Sequence, residues 1–342
     1  MKKFLLFLLL IGILVEGGLL VWMDKLAPSG GIGWEETGDA SKYYGPNAPD
    51  PPYHLSIDDR DFLVQHVSES GILADAQTDF ERIAALRRWV HSLCPKIEKN
   101  AISNDPSEIV DAFERGEGTA CGTLSLLYCS TLIAHGYRAR LVQTIRDPHD
   151  VPLWSKGSPD THVTVEVFLP ESQEWIVSDP TFNCCYRFPD SDARLNAREL
   201  QVIATDSKWH ITDQGWINVI RTGRVIAETD GPTTPPTAEE YYIDPVLLYG
   251  NVFLLYYDIY DRTPRDLTQK IVRLFTTHVL GTEKMVWLLP PGMGRTYISA
   301  FYSAANWIPV GIAVVLLMLL IPVPRPSEEE EGNEDEEDEE VT

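Results

Sequence analysis

Apolar residues fall into two periods along this 342-residue chain. From Asp59 to Leu93 they recur at helical spacing, and the stretch predicts two helices. In TDFERIAALRRWVHSL, Phe80, Ile83, Ala84, Leu86, Val90 and Leu93 mark one side, Thr78 or Asp79 is placed to cap the start, and Pro95 marks the stop. DPSEIVDAFERGEG (105–118) repeats the logic with an Asp-Pro start and a Gly-rich end; Asp105, with Glu108 three residues later, fits a capping box. The next helix, in GTACGTLSLLYCSTLIAHGYRARLV (118–142), has hardly any polar face: Leu124, Leu126, Leu127, Tyr128, Leu132 and Ile133 surround it. A helix apolar on all sides is a central, buried one. Thr119 can cap it and Gly136 can close it in a left-handed conformation. The period then changes to two. YRARLVQTI predicts a strand, and THVTVEVFL alternates Val163, Val165 and Val167 with His162, Thr164, Glu166 and Phe168. PESQ is a turn, and EWIVSDPTFN returns as a strand ended by Asp179-Pro180.

Two longer apolar runs change the picture. Phe4–Met23, after Lys2 and Lys3, and Ala304–Val323, before Arg325, each hold 20 residues, enough at ~1.5 Å per residue to cross a ~30 Å hydrocarbon core. They predict two transmembrane helices. The first lacks a small-x-small cleavage site after it and reads as an uncleaved anchor rather than a signal peptide. The flanking cations favour cytoplasmic termini under the positive-inside rule and leave residues 24–303 outside. The expected order is an anchor (1–23), a linker rich in Gly, Pro and Ser (24–58), a catalytic-type domain (59–205), its C-terminal extension (206–303), a second span (304–323) and an acidic tail (324–342).

The formal net charge is −23, and 11 acidic residues lie in the tail between Glu328 and Glu340. Such a tail has nothing apolar to bury and predicts disorder, with a basic cytoplasmic partner as its one interaction reading. The rest is moderately acidic and has no basic stripe, which argues against nucleic acid. No glycine loop of a phosphate-binding kind is present. No cofactor or metal is expected. Five cysteines are an odd number, so at least one thiol stays free whatever pairs form among Cys94, Cys129, Cys184 and Cys185.

The candidate chemistry lies where the two periods meet. Cys121 falls in the first turn of the central helix, where free amide hydrogens and the helix dipole favour a thiolate. Cys129, two turns further in, lacks that advantage and reads as core. A hairpin loop of two or four residues would put His162 and Asp179 on one face of neighbouring strands. Thiol, imidazole and carboxylate are then the parts of a relay: His162 takes the proton of Cys121, Asp179 orients the ring, and the Cys121 backbone N–H is an oxyanion donor. His149, in RDPHDVP, is a rival base. His135, at the far end of the helix, reads as a partner for the helix dipole.

RIAALRRWVHSL, the segment 105–142, HVTVEVFLPESQEWIVSDPTFN and LNARELQ, in that order, resemble the transglutaminase-like superfamily over about residues 75–205. The resemblance implies an α+β, papain-like fold with the thiol's central helix packed on an antiparallel sheet. It implies Cys121 as nucleophile, His162 as base and Asp179 as orienting acid. With the two spans, it implies a membrane-anchored, outward-facing enzyme that cleaves or transfers an amide acyl group of a protein or peptide through a Cys thioester. The alternative is an inactive module of the same fold that binds or scaffolds a surface polymer or protein.

Overall fold

A computed structural model describes residues 7, 33–98, 102–145, 161–206, 225–229, 245–256 and 284–291. Four helices precede most of the sheet: α1 (Ile57–Ser70), α2 (Asp79–Leu93), α3 (Pro106–Glu114) and α4 (Cys121–Ala134). A fifth, α5 (Ala197–Thr205), comes late. The strands are β1 (Gly33–Thr37), β2 (Ala139–Ile145), β3 (Thr161–Leu169), β4 (Glu174–Asp179), β5 (Cys184–Arg187), β6 (Ile226–Thr229), β7 (Asn251–Tyr256) and β8 (Lys284–Leu288). They form one sheet in the order β1-β8-β7-β2-β3-β4-β5-β6. Every neighbouring pair is antiparallel except β1 with β8. The described architecture is α+β and fits a papain-like core.

Local chemistry explains most boundaries. The Thr78 side chain accepts from the Glu81 amide, and the Glu81 carboxylate accepts from the Thr78 amide, a reciprocal capping box. Asp105 caps α3 by accepting from the amides of Ser107 and Glu108, with Pro106 first in the helix. The reciprocal half expected of Glu108 is not made. The Asp105 amide donates instead to Ser103 Oγ at 3.0 Å, and Glu108 accepts from the same hydroxyl. At the end of α4, Gly136 has φ +87°; its amide donates to Ile133 O and that of Tyr137 to Leu132 O, both at 3.0 Å. This paired closure requires the left-handed residue that glycine supplies without strain.

The start of α4 differs from expectation. Its N-cap is Ala120, with no side-chain cap, rather than Thr119. Thr119 is spent on extended pairing: its amide donates to Lys96 O at 3.2 Å, and its carbonyl accepts from the Glu98 amide at 2.8 Å. Gly118 permits this approach, since a Cβ there would lie 2.6 Å from Lys96 Cγ and 2.8 Å from Lys96 O. His135 caps the other end, but burial lowers its pKa, so at neutral pH it is an uncharged ring and not a cationic dipole partner.

The sheet is buried on both faces. Val165, Val167 and Ile176 pack with Leu124, Leu127 and Leu132 of α4 and with the other N-terminal helices. Val142, Val177, Val252, Leu254 and Val286 pack on the opposite side with Leu200 of α5, Tyr43 and Tyr249. An ion pair lies within that second layer. The fully buried Arg140 donates from Nε to Glu166 Oε2 at 2.8 Å and from Nη1 to Tyr43 O at 2.8 Å and Tyr256 Oη at 2.7 Å. Glu166 Oε1 accepts from the Ala197 amide at 2.6 Å. The N-terminal segment, α5 and β7 are thereby tied to the two central strands.

Part of the stretch expected as a linker thus lies within the fold: it contributes β1 and the fully buried Tyr43. Residues beyond 206 supply β6, β7 and β8, and β7 pairs directly with β2. All five cysteines are free thiols, four of them buried. Among the described residues no helix is long and apolar enough to cross a membrane. The two expected spans, apart from residue 7, and the acidic tail lie outside the described residues, as does His149.

Candidate active site

Cys121 is the first residue of α4. The lack of a side-chain cap leaves the helix start without a competing acceptor for its amides. The thiol is half-buried, unlike the fully buried Cys129 of the same helix. Ser125, one turn on, donates from Oγ to Val163 O at 2.8 Å and fastens the first turn to β3.

The hairpin between β3 and β4 settles the parity question. Leu169 pairs with Glu174 and Val165 with Ser178, so the loop is the four residues 170–173. His162 and Asp179 therefore share a face and lie on a diagonal across adjacent strands. His162 Nε2 donates to Asp179 Oδ2 at 2.7 Å, with both side chains fully buried. Asp179 Oδ1 accepts from the amides of Thr181 at 2.8 Å and Phe182 at 3.2 Å. The carboxylate is thus held from its own turn, and its second oxygen is aimed at the ring. Phe182 lies beside the imidazole, ring centroids 5.2 Å apart.

The other ring nitrogen, Nδ1, makes no conventional hydrogen bond. The imidazole as a whole is close enough to the Cys121 thiol for each to shift the other's ionisation. The electrostatics of the pair follow. Burial alone would push the Cys121 thiol up, but the neighbouring His162 imidazole, with the Val163 amide, outweighs it and leaves the thiol lowered. Burial would lower the His162 pKa, but the Asp179 carboxylate and the thiolate raise it to about 10. Both shifts run in the direction of a thiolate–imidazolium pair.

The remaining cysteines face the opposite conditions. Burial raises the pKa values of Cys94, Cys129, Cys184 and Cys185. Among the described residues no group of three or more His, Cys, Asp or Glu side chains could hold a metal ion. A groove of about 430 Å³, lined by Phe188, Val202, Ile203 and Val225 among others, shares none of the residues of this site.

The arrangement defines a thiol–imidazole–carboxylate site at the start of a central helix, on an α+β scaffold. A family model, that of the transglutaminase-like superfamily, matches residues 69–180, a stretch that contains Cys121, His162 and Asp179. The match supports a transglutaminase-like core within this chain, whose fold suits thiol-dependent acyl-transfer or protease-like chemistry. No curated protein matches the chain.

Residues around the site that sequence reading passed over include Arg87, His91 and Phe182. Arg87 carried a signal. It lies four residues after Ile83 and three before Val90, on the apolar stripe of α2, where a charge must find buried partners.

Proposed function

We propose that this chain is a thiol acyl-transfer enzyme. Cys121 attacks an amide carbonyl, and the acyl group is held as a thioester. The observation that carries the reading is the buried 2.7 Å contact from His162 Nε2 to Asp179 Oδ2, on an imidazole that lowers the pKa of the helix-start thiol.

The steps balance as follows. The Cys121 sulfur forms a bond to the carbonyl carbon, and the Cys121 backbone N–H, at the positive end of α4, donates to the developing oxyanion. On collapse the C–N bond breaks, and His162 gives its proton to the departing amine. The neutral ring then takes a proton from water, whose oxygen attacks the thioester. The acid leaves and the thiolate–imidazolium pair is restored. An amine in place of water would give transamidation. Hydrolysis is preferred, because an aqueous exterior supplies water in great excess.

The substrate class is a protein or peptide met outside the cytoplasm. The apolar runs 4–23 and 304–323 support a membrane-anchored enzyme with both termini inside. The acidic tail would then face the cytoplasm, free to meet a basic partner. The test is capture of an acyl adduct on Cys121 from membranes of the producing cell. A hydroxylamine-sensitive adduct found by peptide mass on Cys121, and lost in Cys121→Ser, is expected. A Cys121 that never carries an acyl group and alkylates no faster than an ordinary thiol would instead favour a binding module of the same fold.

A further inference from the structure

The triad's acid is the last residue of β4, where the strand gives way to the turn 180–183. We infer that His91 and Arg87 are positioning residues that clamp this turn and so aim Asp179 at His162. The inference rests on the thiol reading above and adds two residues to its machinery.

Both lie on α2, four apart, and so on one face of the helix. Their contacts straddle Asp179. His91 Nδ1 meets Pro180 O at 2.8 Å; a carbonyl can only accept, so this nitrogen carries the proton. Arg87 donates from Nη1 to Ser178 Oγ at 3.1 Å and from Nε to Asn183 Oδ1 at 3.3 Å. Asn183 stands at φ +48°, a left-handed conformation that Asn tolerates better than most residues and that closes the turn. Residues 178, 180 and 183 are thus gripped by α2, while the amides of residues 181 and 182 grip the carboxylate itself.

The same hub reaches the nucleophile's helix. Ser178 Oγ is 2.7 Å from Tyr128 Oη, and Tyr128 Oη donates to Ile83 O at 3.1 Å. Tyr128 lies on α4 two turns beyond Cys121. The thiol's helix and the acid's strand are therefore referenced to one fully buried cation, Arg87. Other titratable side chains that feel the Asp179 charge are Cys184, Tyr186 and Tyr249, and burial pushes all three up, so they stay neutral. No competing charge from them pulls the carboxylate off His162.

A small displacement of this turn weakens the contact that keeps the imidazole charged, and reaction rates are steep in such displacements. The test is iodoacetamide modification of Cys121 in the full-length chain, followed by peptide mass across a pH series. His91→Ala is expected to slow modification at neutral pH by about three- to ten-fold and to move the acidic limb of the profile upward. His91→Asn, whose side-chain N–H occupies the place of Nδ1, is expected to restore the profile. Should His91→Ala fail to melt cooperatively, Asn183→Gly takes its place: it keeps the left-handed backbone, removes the Arg87 acceptor and is expected to slow modification in the same way. A folded His91→Ala or Asn183→Gly protein with the wild-type profile overturns the inference, and so does a His91→Asn protein as slow as His91→Ala. If wild-type Cys121 itself reacts like an ordinary thiol, the thiol reading fails too, an outcome distinct from a fast wild type with unchanged variants.

Discussion

Replacing Asp179 by Asn should damage the site more than replacing it by Ala. In the wild type, Asp179 Oδ1 accepts two backbone amides, from Thr181 and Phe182, while Oδ2 accepts from His162 Nε2. An Asn in this place satisfies the two amides only with its carbonyl oxygen. Its amide NH2 then points at Nε2, and two donors face each other unless the ring gives up its Nε2 proton. The neutral ring so formed carries its proton on Nδ1, toward Cys121, and cannot accept another from the thiol. Ala imposes no such choice, since it holds no donor against Nε2 and either tautomer persists. The magnitude follows from ionisation. A thiol of pKa about 8.5 is only about 3% thiolate at pH 7. If the wild-type thiol is largely ionised there, losing its imidazolium costs about thirty-fold in alkylation rate, and turnover should fall by more because the leaving amine also lacks its acid. Stopped-time iodoacetamide labelling of Cys121 at pH 7, with turnover once a substrate is in hand, reads both effects. Equal rates for Asp179→Asn and wild type, or an Ala variant slower than the Asn variant, would refute the tautomer reasoning.

Three further outcomes test the scaffold. Glu166→Gln leaves the buried Arg140 charge without its counterion and should lower stability by about 3–5 kcal/mol in denaturant unfolding, as removing one partner of a buried pair does; a change below about 1 kcal/mol would show that Tyr43 and Tyr256 suffice to hold the guanidinium. Gly118→Ala places a methyl against Lys96 and Glu98, so it should both destabilise the chain and slow Cys121 alkylation through the displaced helix start; a stable variant with the wild-type rate would contradict that coupling. Because the folded His162 pKa is raised from 6.5 to about 10 while that of Cys121 is lowered, the ring's contribution, complete below pH ~6.5 and lost as pH rises through about 10, is offset by the thiolate's, which is gained as pH rises toward the ordinary thiol range. Cys121→Ser keeps Asp179 against the ring but removes the offset, so its stability should fall over that window more steeply than that of the wild type, and parallel pH–stability curves would be the opposing result.

What could be read from sequence, and what could not, divides by range. The capping chemistry at Thr78 and Asp105, the Gly136 closure and the span of β3 depend on neighbours within a few residues, and the chain states them directly. The His162–Asp179 pairing is non-local, yet a four-residue loop fixes its parity, so it too could be argued in advance. Thr119 reads as a cap because its pairing with residues 96–98 across an intervening helix leaves no periodic trace. The strands β1, β7 and β8 lie far apart in sequence and meet only through the sheet, and so residues 33–50 looked like linker. Arg87 was the exception: a charge on an apolar stripe was visible, but its partners at 178 and 183 were not.

The central claim is that Cys121 rests as a thiolate beside a charged His162. Its most direct test is a pH titration of the thiolate's ultraviolet absorbance in the wild type, with Cys121→Ser subtracted and His162→Ala alongside. The expected curve shows one Cys121 ionisation below the ordinary thiol range, moving upward in His162→Ala. A Cys121 that ionises at or above that range in the wild type, with no response to loss of the imidazole, would contradict it.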